Sequence, residues 1–227
     1  QVIITCTDKL NGNEINASYA GNGTWWAIHT FNDYGYYQVN ASHDGMDNLI
    51  LDTESIDIVK NRFSELQALI SANYGSILKL DKDYGCENDF DINGINITDS
   101  ITIDGQGHTL DAKGKGRIFN VTADNVILKN IIFTNAKTTG KGGAVYFLSN
   151  GTVINCNFTL NTATDGGAIY YSDGTTGEAI NCNFKDNLAT SSGGALVFLG
   201  TGTVTGCNFI NNAGNSGSGG AIYFIKG

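Results

Sequence analysis

One motif recurs along the second half of the chain, and its spacing constrains the fold more than any other feature. Gly-Gly-Ala followed by apolar and aromatic residues occurs four times, spaced 24, 27 and 26 residues apart. The copies are GGAVYF from Gly142, GGAIYY from Gly166, GGALVF from Gly193 and GGAIYF from Gly219. Self-similarity at a period of about 20 to 50 residues is typical of a solenoid. The chain is therefore expected to wind into similar coils.

A second motif lies between these copies and sets the register of the coils. INCNFTLN starts at Ile154, INCNFKDN at Ile180 and TGCNFINN at Thr205, and each contains Phe-x-x-Asn. Aligning the coils gives three columns: Leu128, Val153, Ala179 and Val204; Ile131, Cys156, Cys182 and Cys207; Phe133, Phe158, Phe184 and Phe209. Each column keeps one chemical character, as parallel strands stacked about 4.8 Å apart require. The repeat predicts an all-β chain whose residues 75–227 form a right-handed parallel β-helix.

The asparagines of this motif fall into two classes. Strand alternation places Cys and Phe inside, so the asparagine between them faces solvent. These outward residues are Asn157, Asn183 and Asn208. The last asparagine of each Phe-x-x-Asn lies at a corner, where a stacked amide ladder could satisfy the turn backbone. We interpret these corner residues, Asn161, Asn187 and Asn212, as structural.

Alternation also selects three tyrosines as candidate ligand-binding residues. Tyr146, Tyr170 and Tyr223 share a column with Val197 and with Asn120, a glycosylation-sequon asparagine, so this column is predicted to point outward. An outward row of rings could stack on sugars, or it could cover sheet surface or face a neighbouring domain. The sequence leaves these alternatives open.

The segments before the repeat predict a helix and a smaller β module. Residues 54–74 carry apolar residues at spacings of three and four, which predicts a helix that caps the first coil. Residues 1–53 read as short strands. Asp33-x-Gly35-x-Tyr37-x-Val39 resembles the tyrosine corner of immunoglobulin-like sandwiches, so we expect a partial immunoglobulin-like module.

Neither a catalytic nor a metal site stands out. Asp104, His108 and Asp111 in IDGQGHTLDA form the nearest grouping to a catalytic site, but Gly-rich turns often produce such groupings. There is no CxxC, and His29, His43 and His108 are scattered. We therefore expect no catalytic residues, no metal and no cofactor. The cysteines of the repeat read as buried free thiols, whereas a pairing of Cys6 with Cys86 depends on the fold.

Charge and sequons point to a protein outside the cell. A net charge of −9 with only two arginines argues against nucleic acid as a partner. No apolar run reaches the roughly 18 to 20 residues of a membrane span, and a chain without an initial Met or signal segment reads as a mature ectodomain or a fragment. Seven Asn-x-Ser/Thr sequons support glycosylation, at Asn16, Asn22, Asn40, Asn96, Asn120, Asn150 and Asn157.

Over residues 117–227, the GGA and Phe-x-x-Asn motifs resemble the repeats of the chlamydial polymorphic membrane proteins. The longer run from the helix through IDGQGHTLDA and NVILKNIIFTN is similar to adhesin-like surface proteins of methanogenic archaea. This resemblance implies a modular, extracellular, glycosylated cell-surface protein that contacts other cells, surface glycans or proteins, with further domains in the full-length chain. It supplies no binding residues. Phe133-Thr134-Asn135 departs from the Phe-x-x-Asn spacing.

Three functions remain to be weighed. A non-catalytic adhesin-like module is the leading hypothesis, and a structural stalk is the alternative. A β-helix lyase or hydrolase is the enzymatic rival, but such chemistry needs carboxylates or a base gathered at one substrate. From Gly142 onward the acidic residues are Asp165, Asp173, Glu178 and Asp186, at different places in their coils.

Overall fold

The chain divides into two compact units, Gln1–Lys60 and Asn61–Gly227. A computed structural model describes residues 61–86, 90–216 and 218–225 in full. In the first unit it describes the backbone of six strands: β1 (Val2–Thr7), β2 (Gly12–Asn16), β3 (Ser18–Gly21), β4 (Thr24–Trp26), β5 (Gly35–His43) and β6 (Ser55–Ile58).

The first unit contains an antiparallel sheet in the order β2-β1-β5-β6 and a hairpin of β3 with β4. Short strands were predicted here, whereas the immunoglobulin-like topology stays a prediction, and Asp33 lies outside the described residues. Residues 55–58 were predicted as helix, which is wrong: Ser55–Ile58 pairs with Gly35–Gln38 of β5. The physical reason is the alternation in Ser-Ile-Asp-Ile, a period of two that suits a strand.

Helix α1 (Phe63–Ala72) covers the first coil of the second unit, as the capping prediction requires. Phe63, Leu66 and Ile70 are fully buried and belong to the same apolar core as the coils. The Gln67 side chain donates from Nε2 to the Asn96 carbonyl at 3.0 Å and accepts from the Asn96 N–H at 2.8 Å. An amide that pairs with both backbone groups replaces the strand that would otherwise lie beside this edge.

Six coils follow, and all strand pairs between them are parallel, which confirms the parallel solenoid. The first three coils comprise β7 (Ile77–Lys79), β8 (Tyr84–Gly85), β9 (Ile95–Ile97); β10 (Ile101–Asp104), β11 (Thr109–Asp111), β12 (Phe119–Val121); β13 (Val126–Lys129), β14 (Ile132–Thr134), β15 (Val145–Phe147). The last three comprise β16 (Gly151–Ile154), β17 (Asn157–Thr159), β18 (Thr162–Ala163), β19 (Ile169–Tyr171); β20 (Thr176–Ile180), β21 (Asn183–Lys185), β22 (Leu188–Ala189), β23 (Leu196–Phe198); β24 (Thr201–Thr205), β25 (Asn208–Ile210), β26 (Ala213–Gly214), β27 (Ile222–Phe224).

Three six-stranded sheets run the length of the solenoid. The first sheet contains β7, β10, β13, β16, β20 and β24; the second contains β8, β11, β14, β17, β21 and β25; the third contains β9, β12, β15, β19, β23 and β27. In the second sheet Phe133, Phe158, Phe184 and Phe209 stack with ring centroids 4.7 to 4.9 Å apart. The predicted columns are therefore the actual layers of the core.

The two glycines of the GGA motif have different roles in the backbone. Gly142 has φ of +64°, and the first glycine of each later copy is also left-handed, a conformation that favours glycine. A Cβ on Gly143 would lie 2.1 Å from the carbonyl oxygen of Gly167 in the next coil. The first glycine thus makes the turn and the second lets successive coils stack.

The corner asparagines form the expected ladder. Asn161 and Asn187 are 0% and 1% exposed. The Asn161 Nδ2 donates to the Asn187 Oδ1 at 3.0 Å, and the Asn187 Nδ2 donates to the Asn212 Oδ1 at 2.9 Å. Their Nδ2 groups also donate to carbonyls of the preceding coil, so these amides replace backbone pairing at the corner.

The cysteine column holds free thiols, and the prediction that they are buried is confirmed for Cys156 and Cys182, whereas Cys207 is partly exposed. Cys156, Cys182 and Cys207 carry no disulfide, and Cys156 and Cys182 are fully buried. Burial raises the pKa of the Cys156 and Cys207 thiols, whereas a side-chain hydrogen bond with Cys156 lowers the pKa of Cys182. Since the thiolate is the reactive form, Cys156 and Cys207 act as small apolar groups of the core.

Leu160 is the strained member of a turn column, and replacing it with asparagine is expected to stabilise the fold. Its φ is +58°, and the matching positions in other coils hold Asn135, Asp186 and Asn211. Leu160 is 53% exposed, so little apolar burial is lost. We expect L160N to raise the free energy of unfolding by about 1 kcal/mol, measured by urea denaturation.

The control for this variant is Leu148→Asn, because Leu148 is 44% exposed and is not among the residues with positive φ. Both proteins should come from a host without N-glycosylation, since L160N creates a new sequon with Asn161 and Thr162. An equal change in both variants would contradict the role of backbone strain.

Candidate binding surface

The tyrosine column points out of the core but is largely covered. Tyr146 is half-buried and Tyr223 is partly exposed, whereas Tyr170 is only 3% exposed. The Lys141 Nζ lies 4.7 Å from the centre of the Tyr170 ring, and a Cβ added to Gly166 would lie 3.2 Å from the Tyr170 Cβ. The prediction of an open row is therefore wrong for Tyr170. Strand alternation identifies the face, but it cannot show that Lys141 of the preceding coil and the GGA turn of its own coil lie against this ring.

Arg117 holds this covered surface in place and was not recognised from the sequence. It is 6% exposed, and its Nε and Nη2 donate to the carbonyls of Gly142 and Lys141 at 2.9 and 2.8 Å. Its guanidinium lies 5.1 Å from the centre of the Tyr146 ring. Burial lowers the pKa of Arg117. Because Arg117 donates these hydrogen bonds to backbone carbonyls at the start of the GGA turn, it acts as a clamp that holds this turn in place.

The residues of IDGQGHTLDA do not converge on one reaction centre. The Asp104 Oδ2 pairs with Lys129 Nζ at 3.2 Å, and the His108 Nδ1 lies 3.1 Å from an oxygen of Asp83. The Asp111 Oδ1 accepts from the Asn135 Nδ2 at 3.0 Å and from the Lys113 N–H at 2.8 Å. Each side chain thus has its own structural contacts.

Asp104 is the ionisable group with the clearest consequence for stability. Burial opposes its charged form, but hydrogen bonds from Asn130, Gln106 and Lys129 outweigh burial and lower its pKa from 3.8 to about 2. Asp104 therefore stabilises the fold above pH about 4, and this contribution is lost as the pH falls towards about 2.

We expect Asp104→Asn to lower the free energy of unfolding at pH 7 by about 2 kcal/mol. The difference from the wild type should shrink as the pH falls from about 4 to about 2, when measured by urea denaturation across this range. Asp99→Asn, at an exposed turn, is the control and should change little. A wild-type to D104N difference that is the same at pH 2 and pH 7 would contradict this account.

The outward asparagines form a second ladder, and an open groove runs beside its end. Asn208 Nδ2 donates to Asn183 Oδ1, and Asn183 Nδ2 donates to Asn157 Oδ1, both at 2.9 Å. The groove has a volume of about 450 Å³ and follows the corner between the first and second sheets. Its lining is Gln106, Gly107, Asn130, Ile131, Ile132, Asn155 and Asn157. The INCN spacing, with an asparagine on each side of the buried cysteine, was the signal that could have revealed it.

A comparison with known protein families matches one repeat of the chain, which includes Asn157. Residues 155–172 match the Chlamydia polymorphic membrane protein repeat. The match supports the resemblance to those repeats and suggests a surface location, because the family is one of surface proteins. The resemblance to archaeal adhesin-like proteins stays a prediction. No curated protein and no solved structure matches the chain. Within the described residues, no helix has the length and hydrophobicity that a membrane crossing requires.

The described sequons differ in how available their amide nitrogen is. Asn96 and Asn150 are exposed and Asn157 is half-buried. The Asn120 Nδ2 donates to the Asn96 Oδ1 at 2.9 Å, so Asn120 is already engaged. Asn22 and the side chains of Asn16 and Asn40 lie outside the described residues. Glycosylation at all seven positions stays a prediction.

Proposed function

We propose that the chain is a non-catalytic attachment module of a cell-surface, adhesin-like protein, which binds glycans or proteins of other cells. The observation that carries this proposal is the outer corner of the solenoid, where amides repeat once per coil beside an open groove. Amides supply both donors and acceptors to a hydroxyl-rich ligand. The match to a surface-protein repeat supports the same setting.

The ionisable residues agree with binding rather than turnover. Asp104 and His108 are each held by a charged neighbour, Lys129 and Asp83. A glycosidase or lyase instead needs acidic or basic groups that face one scissile bond. The enzymatic alternative therefore ranks below attachment.

A structural stalk is the second candidate. The outward ladder favours this role, because the Asn183 Nδ2 donates to Asn157 and the Asn183 Oδ1 accepts from Asn208. Both polar groups of this side chain therefore already have partners within the solenoid. Stacked rings and amides along the axis would suit a spacer that separates other domains.

The test is a cell-attachment assay with the labelled 227-residue chain on cells that display defined glycans. Attachment that saturates and is inhibited by unlabelled chain is the expected result. A Tyr146→Ser, Tyr223→Ser variant shows whether the two partly exposed tyrosines take part. A folded wild-type chain that attaches to no cell type would favour the stalk.

A further inference from the structure

The groove at the corner between the first and second sheets is built mostly from one kind of side chain. Gln106 comes from the second coil, Asn130 from the third, and Asn155 and Asn157 from the fourth. Its long direction therefore follows the solenoid axis across three coils. Successive coils are about 4.8 Å apart, which is close to the length of one extended pyranose residue.

One amide in the groove is left with an unused donor. Each Nδ2 of the outward ladder donates towards the N-terminal coil, so the Asn157 Nδ2 points at the position of Ile132. Isoleucine cannot accept a hydrogen bond, and no acceptor for this atom occurs in the described part of the chain. The Asn157 Nδ2 is thus available to a ligand hydroxyl.

The groove also offers an apolar floor without a net charge. Ile131 is buried and Ile132 is half-buried, between Thr109 and Asn157 in the same outer column. None of the lining side chains is charged, and the neighbouring Asp104 is paired with Lys129. A charged ligand would lose hydration without gaining an opposite charge. A pyranose combines an apolar C–H face with hydroxyl groups, which suits this lining.

We propose that this groove binds a linear, uncharged polysaccharide that lies along the solenoid axis. Hydroxyl groups of successive sugars contact the amides of Asn130, Asn155 and Asn157, and one sugar face packs on Ile132. This site rests on the proposed attachment function and gives its ligand a chemical class. Asn157 heads a sequon, so a glycan attached to its Nδ2 would occupy the same groove.

The chain itself supplies substitutions that the fold tolerates. The column of Asn155 holds Gly206 in the last coil, with φ of +64° against +53° at Asn155. The column of Asn157 holds Ile132 in the third coil. The groove variant is therefore Asn155→Gly with Asn157→Ile. The matched control is Asn181→Gly with Asn208→Ile, which makes the same changes in the same two columns outside the groove lining. Asn208 donates to Asn183, so the Asn183 hydrogen bond that orients Asn157 is kept.

The 227-residue chains, made in a host without N-glycosylation, are titrated with tetramers of β-1,4-linked glucose, β-1,4-linked N-acetylglucosamine and α-1,4-linked galacturonate. At least one uncharged tetramer should bind the wild type and the control within about twofold, and the groove variant at least about tenfold more weakly, which is about 1.4 kcal/mol. Galacturonate should bind more weakly than that neutral sugar. Circular dichroism and thermal unfolding establish that both variants are folded.

A second arm uses wild-type chain made in an N-glycosylating host and confirmed by mass spectrometry to carry a glycan on Asn157. This chain should lose the tetramer, whereas Thr159→Ala from the same host, which removes the sequon but keeps the Asn157 amide, should bind it. Equal binding by the groove variant, preference for galacturonate, or no binding of any uncharged tetramer to the folded wild type would overturn the proposal. Cell attachment that persists in such a case would leave the wider function standing, whereas absence of cell attachment would remove it as well.

Discussion

Gly177→Val is expected to lower the free energy of unfolding by about 3 kcal/mol, because the added atoms overlap an aromatic ring in the core. A Cβ on Gly177 would lie 2.4 to 2.6 Å from three ring carbons of Tyr171. The ring has little room to move, since it stacks between Phe147 and Phe198 at centroid distances of 4.6 and 4.8 Å. Urea denaturation monitored by circular dichroism measures the loss.

The same pairing of a large and a small residue recurs through the solenoid. A Cβ on Gly151 would lie 2.2 Å from Phe147, and one on Gly202 would lie 2.3 Å from Phe198. Coils with a smaller residue at the aromatic position carry a larger one in place of glycine: Val121 with Val126, and Ile97 with Ile101. The side chains at the aromatic position and at the glycine position therefore fill one shared space in the core.

This shared volume gives the glycine variant a specific rescue. Tyr171→Val with Gly177→Val recreates the Val121 and Val126 pair. It should be more stable than the sum of the two single changes by about 1 to 3 kcal/mol. Gly220→Val is the control, because a Cβ there meets no atom within 4 Å. Purely additive effects would contradict the volume argument.

Asn187→Ala is expected to cost about 3 to 5 kcal/mol, because it leaves several buried groups without hydrogen bonds. The Asn187 Oδ1 accepts from the backbone N–H and the Nδ2 of Asn161 at 3.1 and 3.0 Å. Its Nδ2 donates to the Phe158 carbonyl and to the Asn212 Oδ1, both at 2.9 Å. Alanine satisfies none of these groups, and no water reaches them at 1% exposure.

Asn183→Ala is the matched control, four residues away in the same coil. Asn183 also belongs to an amide ladder, but it is exposed, so water replaces its lost hydrogen bonds. We expect its cost to stay below about 1 kcal/mol. Equal urea midpoints for N187A and N183A would show that burial does not set the value of a ladder amide.

The sequence predicts the core because a solenoid repeats its environment. Successive coils place Phe158, Phe184 and Phe209 in the same column of the core. Comparing the coils with one another therefore shows which positions are alike. The corner asparagines were recognisable for the same reason. The position of a residue within the repeat determines how deeply its side chain is buried, and this burial determines which residue types the fold tolerates there.

Features made by one segment lying over another were less predictable. The cover on Tyr170 and the clamp at Arg117 depend on where the GGA turn folds, which alternation does not encode. The start of α1 was misplaced because apolar residues of β6 also fit a helical spacing. The groove needed Asn130, Asn155 and Asn157 from different coils to be seen together at one corner.

The most direct test measures, in one experiment, whether the chain binds a polysaccharide and whether it cleaves it. The 227-residue chain is incubated with a panel of uncharged and acidic polysaccharides, and both the bound protein and any soluble sugar products are quantified. Retention on an uncharged polysaccharide, without reducing ends or unsaturated products, is the expected result. Release of such products, lost when Asp104 or Asp111 is replaced by asparagine, would contradict the account and identify an enzyme.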